Sequence, residues 1–275
     1  METNIVLCGV GGQGILSISI ALDLAAIRLG WHFKQAEVHG MSQRGGEVVS
    51  HLRYADHAVR SEVIPRGMAT LVLSVEPLEA LRYVSLLAPG GALVTSSDPF
   101  RNIESYPDLD EVLGAIAREP NHVILPGEAL ARQCGSARAA NIVLLGASAP
   151  WLGMPEETVE AAIRELFAPK GEKVQELNVK AFRAGRSAGE AYRRCVAAGV
   201  PSRSAYALAG KLKDGLLSPD AVAPWREVFL GPRAAEVLSA LGLPGQRVKG
   251  EAAMPEAILA LGGEADVAEL LAARR

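Results

Sequence analysis

Cysteine is scarce in this 275-residue chain: Cys8, Cys134 and Cys195 stand far apart, and no Cys-x-x-Cys occurs. An odd, scattered set argues against a secreted disulfide framework, and the missing spacing excludes an iron–sulfur cluster held by this chain alone. Long apolar runs are absent too. Ile15–Ile27 and Ala139–Gly153, the most apolar stretches, fall short of the roughly 20 residues of a membrane span, and Asp23 interrupts the first. Excess charge is also missing, with 28 basic residues against 31 acidic ones and a net charge of −3. Neither the first 200 residues nor the remainder is basic, which argues against a nucleic-acid or anionic-membrane surface. Met1-Glu2-Thr3-Asn4 lacks the basic region of a signal peptide, so a soluble, cytoplasmic protein is expected. His32, His51, His57 and His122 share no ligand spacing, so no metal site is expected. Ser17 and Ser19 lie outside any Gly-x-Ser-x-Gly elbow, which leaves a serine hydrolase without support.

What is present is an apolar fraction of 49%, enough to bury a sizeable core. Asn4–Cys8 is a short apolar run ending at glycines, as a buried strand does. Ile15 to Leu29 has helical spacing, with Leu16, Ile20, Leu24 and Ile27 along one face, and Gly30 closes it. Trp31–Val38 returns to strand character, so a parallel β-α-β crossover is expected. Glu47–Tyr54 alternates in polarity and reads as a strand with unequal faces, antiparallel to the rest. Ala69–Val75, Ala92–Ser96 and Val123–Leu125 are further strands, with a helix over Pro77–Leu87. Helices are expected over Ala137–Ala147, over Pro155–Phe167, where Glu156 and Glu157 follow the proline, and over Glu172–Cys195. Gly199 to Ser204 reads as a linker, and short helices follow near Pro232–Leu241, Pro255–Leu261 and Glu264–Ala273. The expected fold is therefore α/β, a Rossmann-like, mostly parallel sheet flanked by helices, with a C-terminal helical extension. The expected division is a domain over residues 1–198 and a subunit-packing extension over 199–275.

Gly9-Val10-Gly11-Gly12-Gln13-Gly14 is a G-x-G-x-x-G placed between a strand and a helix. Such glycines let backbone amides approach a phosphate, and the helix dipole favours the anion. Glu37, near the end of the second strand, is where a dinucleotide enzyme holds the ribose. A nicotinamide-dependent dehydrogenase is one reading; glycines that only allow helix-on-strand packing are the other. His39-Gly40-Met41-Ser42-Gln43-Arg44-Gly45-Gly46 then sets an imidazole, a hydroxyl, an amide and a guanidinium among glycines. The dehydrogenase pattern has a crossover helix in that place. Arg44 has the fork for a phosphate or carboxylate; a solvated turn is the plainer alternative. Cys8 reads as a buried structural thiol. Arg183, Arg186, Arg193 and Arg194 read as a solvated or subunit-facing stripe.

Together, GVGGQG, the helix after it, and EVHGMSQRGGEVVSHLRYAD over Glu37–Asp56 resemble the gamma-type domain of 2-oxoacid:ferredoxin oxidoreductases. Within that family, EVHGMSQRGG is similar to the small (beta) subunit of indolepyruvate:ferredoxin oxidoreductases. Asn141-Ile142-Val143-Leu144-Leu145-Gly146 resembles a further family segment, with Ile142 where Met is usual. The resemblance covers about residues 1–195. It implies an accessory subunit of an enzyme that converts an arylpyruvate, coenzyme A and oxidised ferredoxin to the acyl-CoA, CO2 and reduced ferredoxin. Gly-Asp-Gly, part of the thiamine pattern, never occurs. Thiamine diphosphate and 4Fe-4S clusters are therefore expected on a larger partner subunit, with ferredoxin met through the hetero-oligomer and no catalytic residue in this chain. A coenzyme A contact is expected at Gly9, Gly11, Gly12, Gln13, Gly14, Ser42, Arg44, Gly45, Gly46 and Asn141. A stand-alone NAD-dependent dehydrogenase and a non-enzymatic assembly module are the alternatives.

Overall fold

The computed structural model describes residues 2–39, 45–101, 103, 105–197 and 202–209. The chain divides into two units, residues 1–189 and 190–275. In the first, strand β1 (Glu2–Val10) carries the apolar run, with Ile5, Val6, Leu7 and Cys8 wholly buried. A strand so uniformly apolar belongs at the centre of a sheet covered on both faces. It lies between β3 (Glu47–Ala55), antiparallel to it, and β4 (Ala69–Ser74), parallel to it. With β2 (His32–His39), β5 (Leu87–Ser96) and β6 (His122–Leu125), the order is β2-β3-β1-β4-β5-β6. The mostly parallel α/β sheet, the antiparallel β3 and the short last strand agree with the sequence reading.

The first crossover is modified. Helix α1 (Ile15–Arg28) links β1 to β2, and both run antiparallel to β3, hence parallel to each other. They are not neighbours, because β3 occupies the position between them. Gly30 does close α1: its amide bonds Ile27 O at 3.0 Å and the Trp31 amide bonds Ala26 O at 2.9 Å, the two bonds of a Schellman motif.

The expected inward face of α1 is corrected. Leu16, Ile20 and Ile27 are 46%, 42% and 57% exposed, while Ile15, Ile18, Ser19, Ala21, Leu22, Ala25 and Ala26 are buried. Small side chains let the helix axis come close to the sheet and to α6 (Glu156–Phe167), so the face rich in alanine and serine goes inward.

Helix α2 (Pro77–Arg82) is shorter than expected and gives way to a single tight turn over Val84–Leu86. It packs on β1, β4 and β5 and against α3 (Leu109–Ile116). Neither α3 nor α4 (Gly127–Cys134) is anticipated by the sequence reading. Helix α5 (Ala140–Ala147), together with the turn before it, fills the expected span and packs on β4 and β5.

The long α7 (Glu172–Ala197) crosses α5 with almost no space between backbones. A Cβ on Gly146 would lie 1.9 Å from Phe182 O, and one on Gly185 would lie 1.8 Å from Val143 O. The arginines on α7 are paired within the chain rather than forming a free basic stripe. Arg183 forks onto both oxygens of Glu160 at 2.7 and 2.6 Å, and Arg186 bonds Glu156 at 2.6 Å. In the second unit, Arg193 and Arg194 both reach Glu190.

Helix α8 (Ser202–Ala209) includes Ser202, Arg203 and Ser204, which the sequence reading places in a linker. The alanine-rich run after them favours helix and draws them into its first turn. The helices expected beyond residue 231 lie outside the described residues. Among the described residues, no helix is long and apolar enough to cross a membrane.

Candidate functional site

The glycine loop leaves the carboxyl end of β1, where open α/β sheets place their ligand crevice. Its shape is set by Gln13. The Gln13 side-chain oxygen accepts from the Val10 amide at 2.7 Å, and the Gln13 amide donates to Val10 O at 3.1 Å. That side-chain oxygen is therefore committed to folding the loop. Gly11 is buried and bonded to the second motif: its amide donates to Gly46 O at 2.8 Å, and its carbonyl accepts from Gly45 N at 3.3 Å.

Gly9, one residue before the end of β1, packs against Val75, where a Cβ would lie 2.4 Å from Cγ2. Gly12, at φ +101°, is exposed, with nothing within 4 Å of where a Cβ would stand. Gly14 begins α1 at φ +84°, and a Cβ there would lie 2.6 Å from Asn141 Nδ2. That nitrogen donates to Gly14 O at 3.0 Å.

The structure thus brings together Gly9, Gly11, Gly12, Gln13, Gly14, Gly45, Gly46 and Asn141. Ser42 and Arg44 lie outside the described residues. Among the described residues, the amides of Gly12 and Gly14 make no hydrogen bond. The first turn of α1 contains no acidic side chain, so its dipole faces outward uncompensated.

The dehydrogenase reading meets a geometric obstacle. Glu37 pairs in register with Ser50 on β3, so its strand stands two places from β1. At about 4.8 Å per strand, the acid stands nearly 10 Å from β1, one strand spacing farther than an adjacent β2 would hold it.

Beside the loop is a cavity of about 160 Å³ that the sequence reading missed. Val10, Gly45 and Glu47 form one side; Glu76, Glu79 and Arg82 of the α2 region form another. Glu76 caps α2, accepting from Glu79 N at 2.8 Å, and also accepts from Phe100 N at 3.3 Å and from the Tyr106 hydroxyl. The Tyr83 hydroxyl donates to Glu47. Burial first, then the carboxylate each one serves, raises the pKa of Tyr83 and of Tyr106, so both stay protonated donors. Glu79 Oε1 accepts from Arg82 Nε at 3.0 Å. Burial raises the Glu79 pKa against the opposing pull of Arg82. The acids come from two separate segments, Glu47 on β3 and the Glu76/Glu79 pair at the start of α2; the one local signal is the capping pattern Glu76-Pro77-x-Glu79.

Other sequence candidates have plain surroundings. Cys8 is fully buried, and burial pushes its thiol well above the usual range. His51 Nδ1 accepts from Ile64 N at 3.1 Å, and desolvation lowers its pKa. Among the described residues, no group of three or more His, Cys, Asp or Glu is placed to hold a metal ion.

Comparison with known proteins converges on one family. Residues 4–188 match the family model for pyruvate ferredoxin/flavodoxin oxidoreductase. Indolepyruvate oxidoreductase subunit IorB of Pyrococcus horikoshii is 39% identical over 199 residues, covering 69% of this chain and 96% of the relative. A keto/oxoacid ferredoxin oxidoreductase gamma subunit from Geobacter sulfurreducens superposes with a TM-score of 0.50 at 25% identity, over 66% of this chain and 95% of that one. The 2-oxoglutarate:ferredoxin oxidoreductase of Magnetococcus marinus, solved with 2-oxoglutarate, coenzyme A and succinyl-CoA, has a TM-score of 0.53. At 21% identity, over 68% of this chain and 30% of that one, this last likeness shows the fold alone. The matched span, the mixed six-stranded sheet and the glycine loop agree: the chain belongs to the pyruvate ferredoxin/flavodoxin oxidoreductase family.

Proposed function

We propose that this chain is the accessory subunit of an indolepyruvate-type 2-oxoacid:ferredoxin oxidoreductase. The enzyme as a whole takes an arylpyruvate, coenzyme A and oxidised ferredoxin to the aryl-acetyl-CoA, CO2 and reduced ferredoxin. One observation carries the reading. The three segments of the family resemblance, Gly9–Gly14, Gly45–Gly46 and Asn141, are far apart in sequence yet hydrogen-bonded into one loop. A relative that matches over nearly its whole length is an indolepyruvate oxidoreductase subunit.

Thiamine diphosphate and iron–sulfur clusters supply decarboxylation and electron transfer in this reading, and they are assigned to a larger partner. Neither Cys-x-x-Cys nor Gly-Asp-Gly occurs here to hold them. The chain's own residues fit a coenzyme A contact. The amides of Gly12 and Gly14, without hydrogen bonds at the start of a helix that has no acidic first turn, would meet a phosphate. Ser42 and Arg44, next to Gly45, would add a hydroxyl and a guanidinium fork. Scarce thiols outside any disulfide favour a cytoplasmic setting, and the likeness to a subunit of a larger oxidoreductase favours a hetero-oligomer.

Anaerobic assay of ferredoxin reduction tests the assignment. The isolated chain is expected to be inactive, and activity is expected only with a thiamine- and cluster-bearing subunit recovered by affinity purification. Ferredoxin reduction by this chain alone would overturn it. So would NADH binding that changes cofactor fluorescence, the signature of the dehydrogenase.

A further inference from the structure

The acidic cavity beside the glycine loop has no role in that reading, and its chemistry is opposite to that of a phosphate site. Among the described residues, Glu47, Glu76 and Glu79 line it against one guanidinium, Arg82. Glu76 is saturated by three donors, and Glu47 receives the Tyr83 hydroxyl. Glu79 differs. The residue is only 7% exposed, and one of its oxygens takes Arg82, yet its other oxygen is buried with no hydrogen-bond partner. A buried carboxylate oxygen left unpaired is costly, and native structures keep such groups for a reason.

Apart from Gly45 and Tyr106, whose hydroxyl serves Glu76, the remaining wall is apolar, from Val10, Leu78, Phe100 and Ile103. The volume of about 160 Å³ is close to the ~150 Å³ that accommodates a benzene-sized guest. A ligand suited to this space carries positive charge and N–H donors at one end and a short apolar stem behind.

We propose that the cavity receives an alkylguanidinium or alkylammonium head, which donates to the free oxygen of Glu79 and is held at the rim by Glu47. The head belongs to an arginine or lysine side chain of another subunit or to a free organic amine. Carboxylates and phosphates are repelled, so neither the 2-oxoacid nor coenzyme A enters here. The inference stands apart from the accessory-subunit reading, since binding to the isolated chain tests it directly.

Titration of the full chain with n-butylguanidinium, followed by calorimetry or NMR, is the experiment. One saturable site is expected, weakened at least tenfold by Glu79→Gln, weakened about threefold by Glu47→Gln, and reduced by added salt. Glu79→Gln keeps an oxygen for Arg82, and a thermal melt checks that each variant is folded. No saturable binding to the wild type, equal binding to both variants, or equal binding of n-butyrate would overturn the proposal. Repeating the titration with the larger subunit present separates the sources. Displacement of the probe assigns the head to a basic side chain of that subunit; retention assigns it to a free amine.

Discussion

Asn141 Nδ2 donates to the carbonyl of Gly14 at 3.0 Å, across 127 positions of chain. The same nitrogen lies 2.6 Å from where a Cβ on Gly14 would stand, so each residue fixes what the other can be. Asn141→Ala is expected to cost about 1 kcal/mol, the worth of one hydrogen bond. Gly14→Ala is expected to cost about 2 kcal/mol or more, from the left-handed backbone at φ +84° and the clash. The double variant removes the clash, so its cost is smaller than the sum. Urea denaturation of all three checks this; additivity within about 0.3 kcal/mol would refute the coupling.

The glycines at the α5–α7 crossing make a sharper test of packing. Gly146→Ala and Gly185→Ala each place a methyl under 2 Å from backbone oxygen, so the helices must part. A loss of about 3 kcal/mol or more is expected, above the usual range for overpacking. Gly114, mid-way along α3, has nothing within 4 Å of where a methyl would stand. Gly114→Ala is expected to gain about 0.5–1 kcal/mol, since alanine is the better helix former. Thermal melts of the three variants would show opposite signs.

Asp23 lies on α1 between Ile20 and Ile27, and its Oδ1 is buried without a hydrogen bond. Desolvation raises its pKa from 3.8 to about 7. Between those values the folded chain holds a proton that the unfolded chain releases, so this group's contribution to stability falls as pH rises from about 4 to 7. Asp23→Asn should therefore stabilise little at pH 4.5 and by about 1 kcal/mol at pH 8. The effect is held to that size because solvent still reaches the group. A gain that is the same at both pH values would refute the assignment.

Thiol reactivity should be graded. Cys8 and Cys195 are buried, and burial pushes the Cys195 thiol up to about 11 and that of Cys8 higher still. Cys134 is the partly exposed one. Under native conditions iodoacetamide is expected to label Cys134 first, and mass spectrometry reads the order. Prompt modification of Cys8 would mean that its strand opens readily.

The proposed coenzyme A contact has its own variants. Gly12→Val meets open space, so the chain should still fold, with a loss of about 1–2 kcal/mol from the strained backbone at φ +101°. In the reconstituted enzyme the valine should raise the KM for coenzyme A. Arg44→Lys keeps the charge but loses the fork, and about a tenfold rise in that KM or an equal loss of turnover is expected. Kinetics within about twofold of wild type for both would remove the loop from the coenzyme A site.

Local signals carry most of the element boundaries. The polarity alternation of Glu47–Tyr54 points to the antiparallel β3, and Gly30 marks the end of α1. What fails is local information standing in for packing. Leu16, Ile20 and Ile27 form a clear apolar stripe, yet the alanine face wins, because closeness to the sheet depends on side-chain size as well as polarity. Helix α3 escapes the sequence reading despite Asp108, whose side chain caps it at Asp110 N and Glu111 N. In the glycine loop, spacing identifies the motif but not the jobs of Gln13 and Asn141, which depend on partners elsewhere in the fold. The acidic cavity sets Glu47 from β3 against Glu76 and Glu79 at the start of α2, and no spacing announces that meeting of the two segments.

The place of β3 governs when the loop comes into being. Residues 2–39 contain β1, α1 and β2, but both strands pair with β3 from residues 47–55, and β1's other partner, β4, comes later still. Closing β1 onto β3 spans tens of residues, an entropic step that precedes any reward from pairing. During synthesis, which proceeds from the N-terminus, the glycines emerge early and wait. Gly11 gains its two bonds only when Gly45 and Gly46 arrive, and Gly14 gains its last when Asn141 does. A nascent chain of 40 residues thus carries the glycine motif without the loop's bonds; the loop's final shape is among the late products of folding.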